Sequence, residues 1–250
     1  MNIPVFHDDQ HGTAIVSTAA VINGLKVVNK NVSEIKLVVS GAGAAAMACT
    51  NLLIEVGVDI NNILMTDSRG VIHSKRDDLS PAKQRYAANT DAKTLADALV
   101  GCDVFLGVSQ PNLIDVDMLK SMASKPLILA MANPDPEVHP DLVREHRPDA
   151  VMATGRSDFP NQVNNVLCFP FLFRGALDVG ATTITREMEI ACVYALAGLA
   201  LSESNEKGYI LPKPFDPRLI TTISPAVAQA AIDSGVATMP FDDIKTYRKS

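Results

Sequence analysis

Residues 34–57, EIKLVVSGAGAAAMACTNLLIEVG, constrain the fold more than any other stretch of the chain. A β-branched run at 35–39 predicts a strand, a glycine-rich turn follows, and small residues at helical spacing predict a helix that stops at Gly57. Strand, tight turn and helix in that order open a βαβ unit, whose crossover lays the next strand parallel to the first.

The pattern then recurs. NILMTD at 62–67 reads as a strand, TLADALVG at 94–101 as a helix, DVFLGVS at 103–109 as a strand and DVDMLKSMAS at 115–124 as a helix. PLILAMANP at 126–134 and AVMATG at 150–155 supply two more strands. Short, wholly apolar strands alternating with helices predict an α/β fold: a doubly wound, Rossmann-type parallel sheet with helices on both faces. Flanking this core, TAIVSTAAVING at 13–24 predicts a buried helix capped at Asn23-Gly24. After Gly155 come a long apolar segment at 161–180, a helix at 185–203, a proline-rich connection at 207–219 and an alanine-rich helix at 223–235.

Composition narrows the function classes. The formal net charge is -6 and no Lys/Arg tract is concentrated enough to release counterions from nucleic acid, which argues against a nucleic-acid partner. Cys49, Cys102, Cys168 and Cys192 stand far apart among apolar neighbours, so they read as reduced, buried thiols of a cytoplasmic protein rather than zinc ligands. No apolar run approaches the roughly 20 residues that cross a bilayer, and the first residues lack a basic-then-apolar leader pattern, so no membrane association is expected.

Gly41-Ala42-Gly43-Ala44-Ala45-Ala46 has the GxGxxA form of the dinucleotide turn. Gly41 permits the sharp bend, Gly43 lets a pyrophosphate approach the backbone, and the small Ala46 lets helix and strand pack closely. Gly-Ala turns also serve packing alone, but a strand precedes this one, a helix follows, and Asp67 ends the second strand near the spacing of a ribose ligand. Ser68 and the cations Arg69, Lys75, Arg76 and Lys83 follow that acid, and such cations suit a 2′-phosphate; the loop therefore favours NADP, with NAD as the alternative.

FHDDQHGTA at 6–14 raises a different question. One acid suffices to cap the helix at 13 and complement its dipole. Asp8 and Asp9 together exceed that need, and a carboxylate is a hard oxygen ligand for Mg²⁺ or Mn²⁺. His7 and His11 lack zinc-protease spacing. Asn133, after one strand end, and Asn164-Asn165, after another, stand where ligands bind in open α/β sheets; they suit a small hydroxy acid or simply satisfy loop backbone.

Taken in order, FHDDQHGTA, SGAGAAA, DSRG, LGVS, ANPDPE and TGRSDFPNQVNNVLCFPFLFRGALDVGA resemble the nucleotide-binding half of malic enzyme, and most of all its long bacterial NADP-linked form with a phosphotransacetylase-like domain. The resemblance implies NADP-dependent oxidative decarboxylation of (S)-malate to pyruvate and CO2, with NADP and Mg²⁺ or Mn²⁺ as cofactors. It implies that Asp9 ligates the metal and that Asp8 is the catalytic acid pairing with the family's lysine. Asn133 and Asn165 match the substrate amides, and Gly41, Gly43 and Ala46 the pyrophosphate turn. Ser68 and Lys83 fall near the 2′-phosphate, and Asp67, Arg69 and Ser109 complete the expected cofactor contacts.

On the same resemblance, residues 1–24 form the metal-motif segment with its helix, 25–240 the dinucleotide-binding domain, and 241–250 a tail or junction to further chain. The family's catalytic tyrosine and lysine and its Glu-Asp metal pair would precede Met1. Tyr86, Tyr194, Tyr209 and Tyr247 match none of its motifs, so this chain is expected to bind nucleotide but to turn over malate negligibly alone. A homo-oligomer is implied, and a catalytically silent nucleotide-binding or dimerisation module is the alternative reading. Another dehydrogenase of this architecture fits less well, because hydride transfer alone needs no acid pair of this kind.

Overall fold

The computed structural model describes residues 3–201 and 208–241. The strands are β1 (Leu37–Ser40), β2 (Ile63–Asp67), β3 (Gly70–Val71), β4 (Val104–Gly107), β5 (Leu127–Ala130) and β6 (Val151–Thr154). They form one sheet in the order β3-β2-β1-β4-β5-β6. From β2 to β6 every neighbouring pair is parallel, whereas β3 returns antiparallel to β2. Among the described residues this edge ribbon is the departure from the expected parallel sheet. Gly70, at φ +102°, lets the chain turn back directly after Asp67.

Because both faces of the sheet are covered, the strands are mostly apolar, with polar residues at the carboxyl ends of β1, β2 and β6. Leu37 and Val39, Ile63 and Met65, Val104 and Leu106, and Leu127 and Leu129 point into one core. Val38, Leu64, Phe105 and Ile128 alternate into the other. The helices are α1 (Thr13–Val28), α2 (Ala44–Glu55), α3 (Pro81–Gln84), α4 (Leu95–Leu99), α5 (Val116–Ser121), α6 (Pro140–His146), α7 (Phe169–Asp178), α8 (Arg186–Leu201) and α9 (Arg218–Asp233). The first core takes its helical side from α1, α2, α7, α8 and α9, and the second from α4, α5 and α6.

Among the boundaries that differ from the sequence reading, three bear on the packing around the site. Gly24 does not cap α1. A side chain there would strike Leu127 of β5, so the glycine marks close packing, and the left-handed residue that ends the helix is Asn29, at φ +55°. The last helix starts at Arg218 rather than 223, because the Asp216 carboxylate accepts the Arg218 amide and Pro217 leads in without needing a donor. The long apolar segment after Gly155 is itself helical from Phe169. The expected helix end at 203 and residues 242–250 of the expected tail lie outside the described residues.

The topology creates the site. From β1 the chain passes through α2 to β2 on one side, then crosses back to β4 on the other. Between β1 and β4 the strand order reverses, which is the switch point at which open α/β sheets bind ligands, in the crevice beyond the carboxyl ends of the strands.

Candidate functional site

At the mouth of the crevice, Gly41 sits at φ +113°, and a Cβ there would lie 2.8 Å from the Val108 carbonyl oxygen. Its amide donates to Thr66 O at 3.0 Å, which fixes the turn against β2. Around Gly43 a Cβ would meet nothing within 4 Å, so the bend is enforced at the first glycine and space is left at the second. Gly43 caps α2 without a side-chain acceptor, leaving first-turn amides facing that space. Ala46 is buried in the core beneath. Across the crevice, Ser109 follows β4 and its Oγ lies 2.8 Å from Ser40 Oγ, just before the turn.

At the tip of β2, Asp67 is already engaged. Arg76 donates from Nη1 to Oδ1 at 2.9 Å and from Nη2 to Oδ2 at 3.1 Å, and Lys83 Nζ reaches Oδ2 at 2.6 Å. Only 8% of the Asp67 side chain is exposed. Burial pushes its carboxyl up, but the bonds from Arg76 and Lys83 outweigh that and hold it well below the usual carboxylate range. Arg76 also meets Asp78, which binds the largely exposed Arg69 at 3.0 Å. Ser68 is exposed at the rim. Of this cluster, sequence reasoning noted Arg76 only as one cation among several.

A second cleft, of about 450 Å³, opens beside the ends of β5 and β6, where Asp8, Asp9, Asn133 and Asn165 share the lining with Thr13 and Phe169. Residues separated by most of the chain therefore meet at one place. Asn165 ties them: its amide nitrogen donates to the Asp8 carbonyl at 3.0 Å, and its oxygen accepts from Thr13 Oγ1 at 3.3 Å. The Asp8–Gly12 stretch is a π-helical turn leading into α1, so the acids cap nothing by side chain. Asp8 Oδ1 is buried and has no hydrogen-bond partner, while Asp9 is exposed. Burial raises the Asp8 carboxyl above its usual range; the Asn165 amide opposes this and the Asp9 charge adds to it.

The same turn is anchored from behind. Glu189 of α8 is buried, takes Arg186 Nη1 at 2.5 Å, and lies 3.4 Å from His11 Nδ1. Phe6 packs edge-on against both His11 and Phe173.

A family model described as malic enzyme, NAD binding domain, matches residues 10–235. The chain belongs to the malic enzyme family. The NADP-dependent malic enzyme of Escherichia coli (strain K12) is 57% identical, over 99% of this chain and 35% of its own length. The NAD-dependent malic enzyme of Rhizobium meliloti (strain 1021) is 52% identical, over 99% of this chain and 34% of its own. A malic enzyme crystal structure from Entamoeba histolytica covers 100% of this chain and 53% of that one, with a TM-score of 0.92 at 36% identity. The chain thus spans about a third of the length of these curated relatives.

In this malic enzyme domain the fit to a divalent cation is partial. An orphaned buried oxygen on Asp8 and an exposed carboxylate on Asp9 are hard donors of the right chemistry. Among the described residues, however, no group of three or more His, Cys, Asp or Glu side chains is placed to hold a metal. All four cysteines are free and buried. Burial pushes the Cys49 thiol up to about 11 and the Cys102 thiol up to about 12, so neither is a ready nucleophile or ligand. Sequence reasoning also passed over Glu137, a buried acid under the loops that follow β4 and β5. Its only local signal is an acid immediately before the apolar Val138 in the loop ANPDPEV.

Proposed function

We propose that this malic enzyme domain supplies the nucleotide site, and part of the metal and substrate site, for NADP-dependent oxidative decarboxylation of (S)-malate to pyruvate and CO2. The observation that carries the reading is the cleft in which Asp8, Asp9, Asn133 and Asn165 converge beside the carboxyl ends of the parallel strands. A nicotinamide held at the α2 turn would supply a hydride acceptor, and a divalent cation held in part by Asp9 would supply a Lewis acid for the decarboxylation.

The chain's own residues hold and orient. First-turn amides of α2 and the open space at Gly43 receive the pyrophosphate, with Ser109 on the opposite wall. Asn133 and Asn165 present amides to the substrate carboxylate and hydroxyl. Asp9 contributes a carboxylate to the cation, and Asp8 pairs with a lysine from outside this chain. One carboxylate falls well short of an octahedral shell, so the remaining donors also come from outside this chain.

NADP is favoured over NAD because Arg76 and Lys83 occupy both oxygens of Asp67, leaving that acid a poor acceptor for ribose hydroxyls and surrounding the place of a 2′-phosphate with cations. The buried free thiols suit a reducing cytoplasm. The test is Asp9→Asn in a form carrying the further length of the relatives: malate-dependent NADP reduction is expected to be lost, and full activity would overturn the assignment.

A second reading, a catalytically silent nucleotide-binding or dimerisation module, is favoured by the lack of a three-donor metal group among the described residues. It would be established by tight NADP(H) binding together with no measurable metal affinity in the extended form.

A further inference from the structure

Glu137 is 0% exposed, and among the described residues no Lys, Arg or His pairs with it. Its two oxygens divide between two loops: the Ser109 amide donates to Oε1 and the Ala132 amide to Oε2, each at 3.0 Å. The strap that carries it is itself fixed, because Pro136 O accepts from the Asn112 amide and Glu137 O from the amides of Leu113 and Ile114. Gly107, the last residue of β4, leaves the space, since any side chain there would collide with the carboxylate.

Burying a carboxylate with no cation beside it is costly, and an apolar residue would fill the same volume more cheaply. What the carboxylate adds is geometry. It bridges the ends of β4 and β5, and each anchor point adjoins a different half of the site. Ser109 Oγ contacts Ser40 Oγ, which precedes the Gly41 turn, while Ala132 is followed directly by Asn133.

We propose that Glu137 is a positioning residue that sets the spacing between the nucleotide turn and the Asn133 amide, and so the donor–acceptor distance for hydride transfer. This rests on the reading of the chain as a malate-oxidising domain. In the transfer, the C2–H bond of malate breaks with its electron pair passing to the nicotinamide ring, and the hydroxyl proton leaves to a base; Glu137 touches none of these atoms.

The test is Glu137→Gln in the extended form. The amide keeps one accepting oxygen but turns an NH2 group toward the second backbone donor, so one loop loses its anchor. Misplacement on the ångström scale costs roughly 10²-fold in turnover. The expected result is a fall in kcat of that order, KM for malate and NADP little changed, and a larger isotope effect with C2-deuterated malate. Glu137→Asp, which keeps both acceptors on a shorter arm, carries the same test should the glutamine variant fail to fold.

Unchanged kcat and isotope effect in a folded variant would overturn the proposal. So would a parallel loss of kcat, nucleotide affinity and cooperative unfolding, which would mark a merely structural role. If the unsubstituted extended form oxidises no malate, the functional reading fails by itself. The fluorescence enhancement of bound NADPH then still judges Glu137: a smaller enhancement at unchanged affinity supports it, and an unaltered one sinks it.

Discussion

Arg76 grips Asp67 through two parallel N–H···O bonds, and Lys83 closes on the same carboxylate. An acid at the tip of the second strand of such a fold ordinarily meets the ribose hydroxyls; here it is turned inward by the protein's own cations. Arg76→Ala should weaken NADP(H) by about tenfold, or about 1.4 kcal/mol, and leave NAD(H) little changed or improved. Parallel titrations with NADPH and NADH measure the ratio, and an equal loss for both would show that the pair serves stability alone.

The same cluster sets an acid limit on stability. A carboxyl held below its usual range is protonated more readily in the unfolded chain. Its contribution is therefore complete above the unfolded value of about 3.9 and is lost as pH falls toward the folded one. Thermal melts between about pH 5 and pH 3 should fall less steeply for Asp67→Asn than for the unsubstituted chain. Parallel slopes would mean that other carboxylates dominate acid unfolding.

Two glycines of one turn should respond in opposite ways. Gly41→Ala meets both a positive φ and the Val108 carbonyl, and should destabilise the fold by about 1–3 kcal/mol. Gly43→Ala enters open space with φ at -85°, so denaturant stability should hold while nucleotide affinity drops. A pair of denaturation curves and a pair of NADPH titrations separate the roles.

Gly12 lies behind the acidic turn, where a side chain would collide with Asp8 Oδ1 and crowd Asn165. Gly12→Ala should therefore displace Asp8 and abolish most malate oxidation in the extended form, while NADPH binding by the chain persists. Joint loss of both activities would show that the substitution unfolds the domain instead.

The alternation of strands and helices was legible because both sheet faces are buried, which makes each strand a short apolar run. The cleft residues were legible for a related reason. Asn133 and Asn165 follow strand ends, and Asp8-Asp9 precede a helix, so topology carries them to one side of the sheet. What local sequence could not carry was the use of a residue decided by a distant partner. Gly24 reads as a cap until Leu127 is packed on it. Nothing in the sequence around Asp67 shows that Arg76 and Lys83 fold over its carboxylate. Glu137 reads as a loop acid until its partners, Ser109 and Ala132, arrive from two strand ends.

Malate-dependent NADPH formation with Mn²⁺, measured on this chain and on a form carrying the further length of its relatives, tests the central claim most directly. NADPH binding is expected of both and turnover only of the longer form, since the proposed roles of Asp8 and Asp9 cover only part of the metal and proton chemistry. Turnover by the 250-residue chain alone would contradict that claim, since the base and the remaining ligands would then have to lie among residues assigned here to other roles.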